Sequence, residues 1–128
     1  MAYTTRGGLK TRVCGPFGVP ETNTTFVVTE IPAGTFIPPY GVVVDVRTLL
    51  DGGTPSIDIG DADDADIWVD TTNITETTVG CYAGTAAAGA TQAPTGRYYA
   101  TANSIKCVLA TGLTAGVFYV HVQMLDVS

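Results

Sequence analysis

Six aspartates stand within thirteen positions of the segment SIDIGDADDADIWVD, residues 56–70. Carboxylates at this density suit a calcium loop, a pair of catalytic acids, or a solvated turn. An EF-hand loop beginning at Asp61 fails, because its fifth position would be Ala65 and its twelfth would be Thr72. A looser oxygen cage for calcium stays open as an alternative, and its ligands would be Asp61, Asp63, Asp64 and Asp66.

The same aspartates do not form the pattern of a catalytic pair. Acid–base chemistry between two carboxyl groups needs a hydrophobic pocket that keeps one of them protonated. These residues are flanked by Gly and Ala instead. Aspartate tolerates tight turns and accepts hydrogen bonds from free backbone N–H groups. The segment is therefore predicted to be a soluble turn between two strands.

Other reactive side chains are sparse. His121 is the one histidine, and neither a metal partner nor a nucleophile stands near it in the sequence. The three cysteines, Cys14, Cys81 and Cys107, form no CxxC motif. We expect them to be buried as small apolar residues, with one disulfide and a spare thiol as the alternative. Because no nucleophile–base pair is visible, the protein is predicted not to be an enzyme.

Trp68 directly follows the aspartates and stands between Ile67 and Val69. If those two neighbours point into the core from a strand, Trp68 points outward, where tryptophan often anchors an interface with a partner. If the sheet is packed on both sides, Trp68 is buried instead. The sequence leaves both interpretations open.

Charge is scarce and unevenly distributed. Charged residues make up 14% of the chain, whose formal net charge is −6, against roughly 25% in an ordinary soluble domain. Arg6, Lys10 and Arg12 precede the first acid, Glu21. The acidic remainder would repel phosphates, so nucleic-acid binding is not expected. We predict that the three basic residues contact an acidic surface on a neighbouring protein.

The many apolar side chains must be buried, either in the core of the protein or in contacts with partners. Hydrophobic residues make up 45% of the chain, yet no apolar run approaches the ~20 residues that span a bilayer. The first residues, MAYTTRGGLKTRV, contain no hydrophobic signal region. Neither a membrane nor secretion is expected. A subunit whose faces are covered by partners needs little surface charge, so the composition favours assembly.

Alternating apolar residues predict an all-β fold, an antiparallel β-sandwich or a barrel, with an extended N-terminal arm. Three strands alternate clearly, with inward residues Phe118, Val120, Val122 and Met124; Val42, Val44, Val46 and Leu50; and Ile105, Cys107 and Leu109. Weaker candidates cover Thr25–Ile31, Ser56–Gly60, Asp66–Thr71, Thr77–Ala83 and Arg97–Thr101. The Ala- and Gly-rich segment 83–96 is predicted to be a flexible loop. We assign residues 1–24 to the arm and residues 25–128 to one sandwich domain.

Two long segments resemble small structural proteins of tailed-phage virions. They are IPAGTFIPPYGVVVDVRTLLDGGTPSIDIGDADDADIWVD and YYATANSIKCVLATGLTAGVFYVHVQML. The family often has a Gly-Thr step leading to an Ile-x-Ile-Gly-Asp run, here Gly53 to Asp66. It often ends in an alternating valine strand, here Thr114 to Val122. The resemblance covers roughly residues 25–125.

The resemblance implies a jelly-roll-like sandwich and a place on the outer surface of the virion. The implied role is a capsid decoration (cement) protein or the base of a head fibre, commonly a homotrimer bound to the major capsid protein. No catalytic residue and no cofactor come with it. The alternatives are a tail, neck or head-fibre component, and a calcium-assisted carbohydrate-binding sandwich. In that last alternative, the sugar-stacking residues would be Trp68, Tyr82, Tyr98 and Tyr99.

Overall fold

Alternating buried and exposed side chains build the strands of this protein. Its structure is a computed structural model that describes residues 8–18, 25–53, 55–71, 74, 78–86, 89–110 and 113–128. Within those ranges there are nine strands and no α-helix, hence no helix suited to crossing a membrane. The strands are β1 (Lys10–Gly18), β2 (Thr25–Ile31), β3 (Thr35–Ile37), β4 (Val42–Asp51), β5 (Ile57–Gly60), β6 (Gly80–Ala83), β7 (Arg97–Tyr99), β8 (Asn103–Leu109) and β9 (Ala115–Asp126).

The strands form two antiparallel sheets. The larger sheet has the order β6–β4–β9–β3–β7, and β1 pairs with β9 on the side away from β4. The smaller sheet has the order β2–β8–β5. An antiparallel sandwich hides one face of each sheet and leaves the other face outside. The predicted all-β antiparallel sandwich is confirmed.

The core lies between the inner faces of the two sheets. Every inward residue predicted for the three clearest strands is buried: Phe118, Val120, Val122 and Met124 in β9, Val42, Val44, Val46 and Leu50 in β4, and Ile105, Cys107 and Leu109 in β8. Strand alternation decides these positions because successive side chains point to opposite faces. The cysteines differ from one another, since Cys107 is buried, Cys14 is half-buried and Cys81 is exposed. None of the three forms a disulfide.

The described part of the predicted arm is an edge strand. Residues Lys10–Gly18 form β1, which runs antiparallel to β9 from Met124 to Val117. The segment is thus extended, and it lies along the larger sheet of its own chain. Residues 1–7 and 19–24 are outside the described ranges. Arg6, and the boundary between residues 24 and 25, therefore stay predictions.

The strand predicted for Asp66–Thr71 is wrong. Only Val69 pairs there, in an isolated bridge to Ile59. The Ile59 carbonyl oxygen accepts hydrogen bonds from the N–H groups of both Trp68 and Val69, each at 3.0 Å. Because the backbone turns around that oxygen, the side chains do not alternate, and Ile67, Trp68 and Val69 are all buried. Three other weak candidates form strands shorter than predicted, namely β5, β6 and β7.

In the Ala- and Gly-rich segment 83–96, the described residues form no strand beyond Ala83, and they are anchored to the core. Ala90 and Ala93 are buried. The Gln92 N–H donates to the Ile67 carbonyl at 3.2 Å. A side chain at Gly84 would collide with the Trp68 carbonyl and with Ala90. The small residues are therefore needed for close packing over Trp68, which the composition alone did not indicate.

A substitution at Gly60 tests how tightly the aspartate turn is packed. A Cβ at this position would collide with the backbone of Asp64 and Ala65. We expect Gly60→Ala to lower the free energy of unfolding by ~3 kcal/mol, since the turn must move to admit a methyl group. Chemical denaturation measures the change. Gly8→Ala is the control, because nothing lies within 4 Å of that position. Equal effects of the two substitutions would contradict the packing described here.

Candidate assembly site

Asp61, directly after β5, is the centre of the predicted acidic turn and is only 3% exposed. Its Oδ2 accepts hydrogen bonds from the Tyr99 hydroxyl and from Arg97 Nη1, both at 2.6 Å. Its Oδ1 accepts the backbone N–H groups of Asp63 and Asp64 at 2.9 and 3.1 Å. Arg97 and Tyr99 belong to β7 of the larger sheet, whereas β5 belongs to the smaller sheet. One carboxylate therefore shapes the turn and joins the two sheets.

Trp68 extends this network into the core. Its Nε1 donates to the Tyr99 hydroxyl at 3.0 Å, and that hydroxyl donates to Asp61. Burial, followed by the hydrogen bond to Asp61, raises the pKa of Tyr99, which keeps the phenol protonated as a donor. Trp68 is completely buried. Of the two alternatives left open for Trp68, the structure has the buried one, because the indole lies inside the sandwich and its N–H is satisfied there.

The predicted calcium ligands are not gathered around a common point. Asp63 is exposed, and its Oδ2 accepts from Arg97 Nη2 at 2.8 Å, so Arg97 pairs with Asp63 as well as with Asp61. Across the described ranges, no three His, Cys, Asp or Glu side chains are arranged to hold a metal ion. The Arg97 guanidinium thus takes the place beside Asp61 and Asp63 that a metal ion would need. The turn interpretation accounts for this geometry.

Asp66 belongs to a second group of carboxyls, with Asp64 and Asp70. The hydrogen bond with Asp64, then burial, then the hydrogen bond with Asp70 raise the pKa of Asp66 to about 6. Like charges at short range favour sharing a proton between them. Nearby, Asp58 Oδ1 accepts the Thr71 N–H at 2.8 Å, and burial raises the pKa of Asp58. These contacts fix the end of the turn beside β5.

A second ionic cluster lies on the outer face of the larger sheet. Asp45 is buried, and its two oxygens accept Arg47 Nε at 2.8 and 2.9 Å. His121 Nε2 lies 3.1 Å from Asp45 Oδ2, although the two residues are 76 positions apart in the sequence. The hydrogen bond from Arg47 is the main cause of the lowered pKa of Asp45. Sequence analysis missed this partner of His121, since only the pairing of β4 with β9 brings them together.

Cys81 stands opposite Asp45 in the β4–β6 pair. Partial desolvation of the sulfur, and then the charge of Asp45, raise the pKa of Cys81, so its thiol stays protonated. A nucleophilic cysteine needs the opposite, a lowered pKa and a base beside the sulfur. His121 is hydrogen-bonded to Asp45 instead. The cluster holds the sheet face together and does not activate a nucleophile.

Lys10 and Arg12, the two described residues among the three predicted to contact an acidic partner, have different surroundings in the structure. Arg12 Nη1 donates to Thr29 Oγ1 at 2.9 Å and to the Glu30 carbonyl at 3.1 Å, which ties β1 to β2 of the same chain. Lys10 lines an open cavity of about 370 Å³ beside Met124. Within the described ranges, neither Lys10 nor Arg12 has a carboxylate within ion-pair distance. Lys10 is therefore the described arm residue whose charge is open to a partner.

Large apolar side chains are exposed at several places. Val13 is 60% exposed and Leu9 is 52% exposed, both in or beside the edge strand β1. Among the residues that the structure describes, the other exposed large hydrophobic residues are Val27, Tyr40, Leu49, Val79, Tyr98 and Val127. Single exposed apolar residues are ordinary, whereas those that share a sheet face indicate a contact surface.

The two carboxylates that pair with Arg97 are expected to contribute differently to stability. We expect Asp61→Asn to lower the free energy of unfolding by ~3 kcal/mol, because it removes the buried charge that faces Arg97 and Tyr99. Asp63→Asn removes the same charge from an exposed position and is expected to cost less than ~1 kcal/mol. Urea denaturation at pH 7 compares the two variants. A cost for Asp63→Asn as large as that for Asp61→Asn would refute the central place of Asp61.

The raised pKa of Asp66 predicts that the stability of the protein depends on pH. Its pKa in the folded protein is about 6, above the ordinary 3.8, so its protonated form stabilises the fold below pH 4, and this contribution disappears as the pH rises through 6. We expect Asp66→Asn to raise Tm at pH 7.5 and to change it little at pH 4. Asp51→Asn, which removes an exposed aspartate elsewhere, controls for the lower net charge. A lower Tm for Asp66→Asn at pH 7.5 would contradict the carboxyl cluster.

Comparison with known proteins shows the fold in a phage particle. No protein-family model matches the chain, and no curated protein matches it significantly in sequence. A solved chain described as the cyanophage Pam1 capsid asymmetric unit has a similar structure, with a TM-score of 0.65 and 19% sequence identity. The superposition covers 97% of this chain and 91% of that one. The protein therefore has, over nearly its whole length, the fold of a chain from a phage capsid asymmetric unit.

Proposed function

We propose that this protein is a structural, non-enzymatic component of a phage virion, a capsid decoration (cement) protein on the outer surface of the shell. The observation that carries the proposal is the fold shared with a chain of the cyanophage Pam1 capsid asymmetric unit. The superposition covers nearly all of both chains, so the structural similarity extends over the whole of each chain. A fold alone does not determine function, so the surface of the molecule must also suit assembly.

The surface supports assembly. Charged residues make up 14% of the chain, and large apolar side chains are exposed on both sheets, among them Val13 and Val27. A subunit covered by neighbours loses this exposed apolar area to contacts, which is favourable. Some of the ionic groups pair within the chain, as Arg47 does with Asp45 and Arg97 with Asp61.

The proposed mechanism is mechanical. Each copy bridges adjacent capsomers of the major capsid protein and contacts other copies, as a homotrimer. Added contact area resists the outward pressure of packaged DNA. Interfaces of ~800 Å² per partner, repeated around a shell, suffice without a single strong contact. In the basic arm, Arg6 and Lys10 are proposed to face an acidic surface of the shell.

The carbohydrate-binding alternative has no supporting observation among the described residues. Two of the four aromatic residues suggested for sugar stacking, Trp68 and Tyr99, are buried. Asp61, suggested as a calcium ligand, pairs with Arg97. We therefore propose no glycan-binding function.

Shells assembled without this chain test the proposal. Purified protein is mixed with such shells from the phage that encodes it, and binding is followed by co-sedimentation. We expect saturable binding and a higher temperature of shell rupture, since bridged capsomers separate less easily. Failure to bind, or binding to purified tails in place of shells, would contradict the decoration role.

Charge variants test the arm. We expect Arg6→Gln with Lys10→Gln to weaken shell binding at least tenfold, about 1.4 kcal/mol, because both cations face acidic groups in the proposal. Lys106→Glu changes the net charge by the same two units and lies on β8 of the smaller sheet. It should bind nearly as the wild type does. Equal weakening by both variants would indicate general charge repulsion and refute a specific arm contact.

A further inference from the structure

We propose that the outer face of the larger sheet is covered by a second copy of this chain. This surface, named here the outer sheet face, is formed by β1, β9, β4 and β6, and its main residues are Val13, Val43, Arg47, Cys81, Tyr119 and His121. The inference rests on the proposed function, in which copies contact each other on a shell. It assigns that contact to particular side chains.

Strand register places these side chains in rows across the sheet. Val13 of β1 pairs with His121 of β9, which pairs with Val43 of β4. In the next row, Tyr119 pairs with Asp45, which pairs with Cys81 of β6. Residues that alternate with these in β4 and β9 point into the core. The rows therefore form one continuous surface on the side away from the smaller sheet.

The outer sheet face is apolar at its edge and hollow near its middle. Val13 is more than half exposed although it lies in a paired strand. A hollow of about 240 Å³ is lined by Tyr40, Val43, Cys81 and His121, among others. Arg47 lies over the Tyr119 ring, with its guanidinium carbon 5.3 Å from the ring centre. Tyr and Arg are enriched where protein surfaces meet, and a hollow gives a partner side chain somewhere to pack.

Charge favours a second copy as the occupant. Among the described residues of the two rows and of their immediate surroundings, the side chains with a formal charge at pH 7 are Asp45 and Arg47, which pair with each other at 2.8 Å. The whole chain carries −6, so two copies repel each other in most orientations. An approach through this face puts no net charge at the contact. A strongly basic or acidic partner would gain nothing from binding here.

The size of the face fits a subunit contact. Three neighbouring strands (β1, β9 and β4) at ~4.8 Å spacing, along eight residues of β9 (Val117–Met124) at ~3.4 Å each, together with the four residues of β6, cover roughly 450 Å² in projection. Side-chain relief brings the accessible area toward the ~800 Å² per partner of a standard interface. No lid or loop from elsewhere in the chain is needed to complete such an area.

Matched variants on the two sheets test the proposal. Val13→Asp puts a charge on the outer sheet face, and Val27→Asp puts the same charge on β2 of the smaller sheet at 47% exposure. Sedimentation velocity over a range of concentrations measures association. We expect the wild type and Val27→Asp to associate, and Val13→Asp to associate at least tenfold more weakly. Circular dichroism and Tm confirm that both variants are folded.

Cys81 provides a second readout on the same face. In a Cys14→Ser background, Cys81 is the exposed thiol and Cys107 is buried. We expect the rate of maleimide labelling at Cys81 to fall at least threefold as the protein concentration passes through the association range. Introducing Val13→Asp into this background should restore the fast rate at every concentration.

Three results would overturn the inference. The wild type could remain a monomer at all concentrations, Val27→Asp could dissociate copies as strongly as Val13→Asp, or Cys81 could label equally fast in monomer and oligomer. A monomer that binds shells and protects Cys81 there would assign the face to the coat protein and leave the proposed function standing. An oligomer with protected Cys81 that binds no shell would support the inference and refute the proposed function.

Discussion

A single buried carboxylate, that of Asp61, connects the two sheets at one end of the sandwich. Taking a charge out of water is costly unless donors and an opposite charge replace the water. Here two backbone N–H groups, the Tyr99 hydroxyl and the Arg97 guanidinium replace it. All four donors must be in place together, so β5, its following turn and β7 have one relative arrangement. The packing of Trp68 under Tyr99 depends on that arrangement.

The same arrangement explains why an acidic loop is not a reactive one. Asp61 already has a cation, Asp63 shares it, and Asp66 shares hydrogen bonds with neighbouring carboxyls. On the outer sheet face, Asp45 likewise takes its hydrogen bonds from Arg47 and His121. The ionisable groups hold backbone segments together. What remains outside is a sheet with little net charge and exposed valines, a surface suited to contact with other proteins.

The parts of the fold that follow from alternation could be predicted from the sequence. In β9, β4 and β8 the inward residues were identified one by one, because the period of two is fixed by strand geometry. Trp68 was a different case. Its neighbours suggested a strand, but the backbone bends around the Ile59 carbonyl, and a bend removes alternation. The short strand β3, between Pro and Gly residues, also gave no usable pattern.

Contacts between distant residues could not be predicted at all. Asp61 meets Tyr99 across 38 positions, and Asp45 meets His121 across 76. No local spacing encodes either pair, since each follows from which strands become neighbours. The acidic turn itself was predictable, because Asp chemistry in turns is local. Its partners, and the edge-strand position of Lys10–Gly18, depended on the whole topology.

The most direct measurement is a cryo-EM reconstruction of the phage particle that contains this chain. The account predicts density for the two-sheet sandwich on the outer surface of the shell, in contact with the coat protein and with the outer sheet face against a neighbouring copy. A shell whose resolved surface contains no such density, while the chain is present in the purified particle, would contradict it.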